Sequence, residues 1–84
     1  MAYSVTITQS AVKALEKVAA EDRRRIIVVI DQLAVNPMAG SVLKGEFFWL
    51  RRIRVGNYRI VYEVREGQLM VLVVRIGHRR EVCR

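Results

Sequence analysis

The sequence predicts an α+β fold in the order β-α-α-β-β-β. An N-terminal strand and an α-helical hairpin lead into a three-stranded antiparallel meander, and all the strands join one mostly antiparallel sheet. Three observations carry this reading. Tyr3 to Ile7 alternates apolar and polar side chains and is rich in β-branched residues, which suits a strand with one buried face. The period then lengthens: Ala11, Ala14, Leu15, Val18 and Ala19, and after them Ile26, Ile27, Ile30, Leu33 and Ala34, recur at helical spacing. From Trp49 onward, β-rich runs are separated by Gly56-Asn57 and Glu66-Gly67, both turn signals.

Thr8 or Ser10 can cap the first helix, which leaves Lys13, Glu16 and Lys17 outside. Ala20-Glu21-Asp22 reads as a short joint with Asp22 capping the second helix, and that helix must stop before Pro37. Asn36 to Glu46, containing Gly40, Ser41 and Gly45, reads as a loop. Phe47, Phe48 and Trp49 are assigned to core and hairpin packing, because nothing spaces them along a groove as a stacking platform would require. The strand 48–55 breaks alternation, since Leu50 and Ile53 are three apart with Arg51 and Arg52 between them. A β-bulge there would give Leu50, Ile53 and Val55 to the core and turn Arg51 and Arg52 outward. On the next strand Tyr58, Ile60, Tyr62 and Val64 share one face, and Arg59, Val61, Glu63 and Arg65 share the other. Leu69 to Val74 is apolar on both faces, as expected of a central strand covered on both sides.

Eighty-four residues suffice for a single domain, assigned to residues 1–84, with 52% apolar content and a net charge of +7. The charge is lopsided. Residues 44–84 hold ten of the fifteen basic residues, nine of them arginine, against four acids. Guanidinium forks fit phosphate, so a polyanionic partner is expected rather than charge kept only for solubility. Arg23-Arg24-Arg25, by contrast, falls in the first turn of a helix and reads as a solvated face. The lone Cys83 permits no internal disulfide and suits a reducing compartment. With no apolar leader and no spanning run, a cytoplasmic protein without a membrane role is expected. No phosphate-cradling glycine loop, paired carboxylates or Cys/His cluster appears, so no cofactor and no metal are expected. Arginines, one histidine and one cysteine suit metal-free RNA cleavage, in which the 2′-hydroxyl attacks its own phosphate and arginines stabilise the charge at phosphorus.

Several of these stretches together resemble the RelE/ParE superfamily, the toxic half of type II toxin–antitoxin pairs. They are Tyr3-x-Val5-x-Ile7 with its helical hairpin, Leu43-Lys44-Gly45, the run from Arg51 to Tyr62, and the closing run from Arg75 to Val82. The likeness covers nearly the whole chain, and its specificity lies in the hairpin and the tail. It implies a RelE-branch toxin that cuts mRNA in the ribosomal A site and is blocked by an acidic, partly disordered antitoxin, with DNA reached only through that antitoxin. It also implies catalytic positions at Arg52, Arg59, Arg79 and Cys83. The last stands where many relatives carry a tyrosine that can act as general base. A second basic position of the family falls on Leu50, or on Arg51 if the bulge substitutes it. Lys44, Arg51, Arg54, His78, Arg80 and Arg84 are the expected contacts to RNA and ribosome. The alternatives are a ParE-like inhibitor of DNA gyrase and a catalytically impaired module that mainly binds its antitoxin.

Overall fold

The computed structural model describes residues 2–45 and 49–78. Strand β1 (Ser4–Ile7) leads through Thr8 into helix α1 (Gln9–Glu16), followed by α2 (Ala20–Leu33) and a 3-10 turn at Pro37–Ala39. Strands β2 (Ser41–Val42), β3 (Leu50–Val55), β4 (Tyr58–Arg65) and β5 (Met70–His78) complete it. They form one five-stranded sheet in the order β1-β5-β4-β3-β2. Only β1 runs parallel to its neighbour, pairing Ser4 with Met70 through Ile7 with Val73; the other pairs are antiparallel. The expected element order holds. One addition is the two-residue β2, found where a loop was expected.

Both helices lie on one face of the sheet. Ala11, Leu15, Val18, Ile26, Ile30 and Leu33 pack there against Val55, Ile60, Tyr62, Val71, Val73 and Ile76. Ile27 was expected inside but is 42% exposed, because Ile26, Ile30 and Leu33 already fill the helix stripe. Thr8 is the cap of α1, its hydroxyl accepting from the Ala11 amide at 3.3 Å. Asp22 does not cap α2. The helix starts two residues earlier at Ala20, with Ala19 as its uncapped N-terminus, and Asp22 lies in its first turn. There it favours the positive end of the helix dipole and pairs with Arg25 at 3.7 Å. Among the described residues, no helix is long and apolar enough to cross a membrane.

The β3–β4 hairpin turns at Gly56-Asn57 between paired Val55 and Tyr58, and Gly56 takes φ +58°, which a side chain would resist. The β4–β5 connection is wider than a tight turn at Glu66-Gly67. A 3-10 turn at Glu66–Gln68 is closed by Leu69 at φ +49°. Strand β5 is internal, as its composition implied. Val71 and Val73 are buried against the helices, while Leu72 and Val74 are only half covered on the second face.

The bulge lies elsewhere than expected. β3 pairs with β4 in unbroken register from Leu50–Glu63 to Val55–Tyr58. The slip occurs between β4 and β5, where Val61 faces Arg75 and Tyr62 faces Val73, leaving Val74 as the extra residue. An unbulged β3 alternates strictly. Arg51, Ile53 and Val55 therefore share the helix side with Tyr62, Ile60 and Tyr58, and Leu50, Arg52 and Arg54 share the other. Thus Leu50 leaves the core and Arg51 turns toward the helices, contrary to expectation.

Candidate functional site

The sheet face opposite the helices collects arginines by register alone. Arg52, Val61 and Arg75 form one cross-strand row, and Arg54, Arg59 and Gly77 form the next. Arg54 and Arg59 are directly opposed, a like-charge pairing that destabilises a sheet unless an anion lies across it. Val61 is 7% exposed yet outside the helix-side cluster, and its row neighbours are Arg52 and Arg75. Long arginine stems flanking a valine can cover it while their charged heads reach solvent. Arg59 is half-buried, and among the described residues its fully covered Nε has no hydrogen-bond partner. An unpaired buried N–H costs about 1–3 kcal/mol, so the folded chain keeps a donor unsatisfied in the middle of this face.

Arg75 was not among the expected site residues. Strict alternation from Val71 and Val73 assigns it to the helix side. The bulge at Val74 shifts the phase, bringing Arg75 opposite Val61 and Ile76 opposite Ile60 in the core. Thr8 ties this bulge to the rest of the fold. Its amide donates to the Val73 carbonyl at 3.0 Å, and its hydroxyl donates to the Val74 carbonyl at 3.3 Å while capping α1. No signal in the sequence marks the bulge, since Leu69 to Val74 is apolar throughout and fits a strand covered on both faces.

Other expected positions go elsewhere. Arg51 is on the helix side, where its Nη1 donates to the Gly40 carbonyl at 2.8 Å. That bond joins a buried network: the Tyr62 hydroxyl donates to the Pro37 carbonyl and accepts from the Gly40 amide, each at 2.8 Å. Burial raises the Tyr62 phenol above its ordinary value, with the Gly40 amide and the Arg51 charge pulling the other way. His78 meets the Tyr58 ring edge-on, centroids 5.7 Å apart, also on the helix side. Lys44 is exposed just past the end of β2. Arg79, Arg80, Cys83 and Arg84 lie outside the described residues, as do Phe47 and Phe48; Trp49 is 50% exposed and so is not a core residue. In the Arg23–Arg25 run, Arg23 donates to the Glu16 carbonyl at 3.4 Å and Arg25 pairs with Asp22. Among the described residues no group of three or more His, Cys, Asp or Glu is gathered as a metal site.

Comparison with known proteins fits this geometry. The model of the ParE toxin of the type II toxin–antitoxin system parDE matches residues 5–83. The chain belongs to this toxin family. Among solved structures, it is similar to a chain of the RelBE2 toxin–antitoxin complex from Mycobacterium tuberculosis, at 23% identity and TM-score 0.85, covering 94% of this chain and 93% of that one. It also resembles a chain of the archaeal RelE–RelB complex from Pyrococcus horikoshii, at 29% identity and TM-score 0.80, covering 94% and 97%. A mutant of the E. coli toxin RelE in the free state matches at 21% identity and TM-score 0.80, covering 98% and 88%. No curated protein matches the chain by sequence. A family model of ParE thus sits beside structural likeness to RelE, and the chain is a toxin of the RelE/ParE superfamily.

Proposed function

We propose that this toxin is a ribosome-dependent, metal-free endoribonuclease that cuts mRNA and so blocks translation. The observation that carries this reading is the arginine face, with the covered Nε of Arg59, unpartnered among the described residues, at its centre. In RNA cleavage the 2′-hydroxyl gives up its proton as its oxygen attacks the adjacent phosphorus, the bond to the 5′-oxygen breaks, and that oxygen takes up a proton from water, leaving a 2′,3′-cyclic phosphate and a 5′-hydroxyl. Negative charge grows on the phosphoryl oxygens along the way. Preorganised guanidinium donors stabilise that charge more than they stabilise the starting diester, which is what accelerates the step. Arg52, Arg54, Arg59 and Arg75 offer such donors from rigid strands rather than loops. Arg79 and Cys83 are assigned the remaining roles, Arg79 as a further cation and Cys83 as the acceptor of the 2′-hydroxyl proton. Lys44, Arg80 and Arg84 are assigned to ribosomal RNA contacts.

A cognate antitoxin completes the proposal. The RelE–RelB and RelBE2 relatives are toxin–antitoxin complexes by description. Here an apolar groove of about 420 Å³ runs between α2 and β3, lined by Val29, Leu33, Val35 and Ile53. Val35 is 79% exposed and Val28 54%, unusual for valine and suited to the apolar stripe of an acidic antitoxin segment that folds on binding.

Primer extension on mRNA in a translating extract tests the nuclease. The parent should produce codon-phased cuts and Arg59→Ala should not; equal cutting by both sinks the assignment. A gyrase-directed toxin is the second reading, favoured by the match to the ParE family model. Inhibition of DNA supercoiling by the same protein, without mRNA cuts, would establish it instead.

A further inference from the structure

A second basic site lies on the other side of the sheet. A cleft of about 530 Å³ opens between α1 and the end of β5, within the range of small-ligand pockets. Its rim carries Lys13 and Lys17, one helical turn apart, and its far wall is the edge-on pair Tyr58 and His78. Val18 and Ile76, both buried, form part of its floor. The sheet itself separates this cleft from the arginine rows, because Tyr58 and His78 point to the helix side while Arg59 and Gly77 form the row on the opposite face.

The two lysines call for an explanation. Like charges at i and i+4 repel along a helix surface, and among the described residues neither lysine has an ion pair. Attraction to the negative end of the α1 dipole accounts for a cation in the last turn. It does not account for both lysines facing an aromatic wall across a cleft with an apolar floor. That combination is one of phosphate-seeking cations beside a surface that accepts a flat, partly apolar ring.

We propose that this cleft binds a nucleoside phosphate unit, its phosphate held by Lys13 and Lys17 and its base lying over the apolar floor beside Tyr58 and His78. The proposal goes beyond nuclease action and does not depend on it, since it involves none of the arginines of the opposite face. The unit can come from a free mononucleotide or from a single RNA strand.

The test is an NMR titration of the ¹⁵N-labelled full chain with AMP, adenosine, inorganic phosphate and a single-stranded RNA pentamer. AMP should shift the amides of α1, Gly77 and His78, and should bind at least ten-fold more tightly than adenosine or phosphate alone. Lys13→Ala/Lys17→Ala should weaken AMP at least ten-fold while leaving thermal unfolding unchanged, and Lys13→Arg/Lys17→Arg should restore most of the affinity. If the pentamer shifts the same amides and binds more than ten-fold tighter than AMP, the source is a strand; equal or weaker binding makes it a free nucleotide. AMP shifts confined to β3 and β4, or an unchanged AMP affinity in the double alanine variant, would overturn the proposal. Phosphate binding as tight as AMP would overturn its nucleoside part.

Discussion

Arg51 and Arg59 lie on opposite faces of one sheet, and they differ in how their polar atoms are satisfied. Arg51 donates to the Gly40 carbonyl inside a network with Tyr62 and Pro37, so its charge serves the fold. Arg59 is half-buried, faces the like charge of Arg54, and keeps a covered Nε without a partner among the described residues. A fold selected for stability alone has no use for the second arrangement. Polar groups satisfied by the chain itself mark scaffold. Arg59, whose covered Nε has no partner among the described residues, lies where the proposed function expects the ligand.

The sharpest way to break this contrast is to remove each arginine. Arg59→Ala should cost about 2–4 kcal/mol of transition-state stabilisation, by analogy with removal of a preorganised oxyanion donor, and so roughly 10²–10³-fold in mRNA cutting. Its unfolding midpoint in urea should stay level or rise, because an unsatisfied donor and a repulsive pair both disappear. Arg51→Ala should do the reverse, lowering stability by about 1–2 kcal/mol through the orphaned Gly40 carbonyl and changing cleavage far less. The same ordering of the two variants in both assays would refute the division of labour.

Gly40→Ala attacks the satisfied side directly. A Cβ there would come within 2.6 Å of the Tyr62 hydroxyl and 2.8 Å of the Arg52 carbonyl. Neither can retreat freely, since the hydroxyl is held by two hydrogen bonds and the carbonyl belongs to β3. Overpacking of this kind typically costs about 1–3 kcal/mol, and a denaturation curve matching the parent's would show the site to be softer than drawn.

Thr8→Ala tests how the open face acquires its fourth arginine. The substitution removes the α1 cap, costing about 1 kcal/mol, together with the bond to the Val74 carbonyl at the bulge. Stability should fall by about 1–2 kcal/mol. Hydrogen exchange should rise at Arg75 and Ile76 more than at Ile53 or Ile60, whose register is unbroken. Uniform exchange along all these strands would deny Thr8 a role in setting the bulge.

What could be read from the sequence follows the same line. Alternation correctly placed Tyr58, Ile60 and Tyr62 against the helices and Arg59 away from them, because β4 is straight and its period is set by its own residues. It failed at Leu50 and Arg51, where charged Arg51-Arg52 suggested a bulge that would keep both outside. Arg51 can face inward because Gly40, 11 residues away, supplies a carbonyl, and that partner is a matter of tertiary packing. Arg75 was missed for the opposite reason, as the bulge that carries it to the open face is held by Thr8 from the far end of the chain. β2 escaped notice because two residues carry no period, and its pairing of Ser41 with Arg52 is decided by β3.

The smallest expected effect is one of pH, and it isolates Tyr62. Burial raises its phenol above the ordinary value of 10.0, so the folded chain holds this proton more tightly than the unfolded chain does. Between the two values the folded state binds more protons, and stability must then fall as pH rises. The contribution is fully present below about pH 10, where the phenol is neutral in both states, and is lost as pH climbs through the raised folded value. Tyr62→Phe removes the titration, though it also leaves the Gly40 amide and the Pro37 carbonyl without their buried partner and so lowers stability at neutral pH. As pH rises above about 10, the parent's unfolding free energy should therefore decline more steeply than that of Tyr62→Phe, so that the gap between them narrows. Every other group is common to the two proteins and cancels in the difference. A gap that stays constant across this range would mean that the phenol is not as enclosed as its hydrogen bonds to Pro37 and Gly40 require.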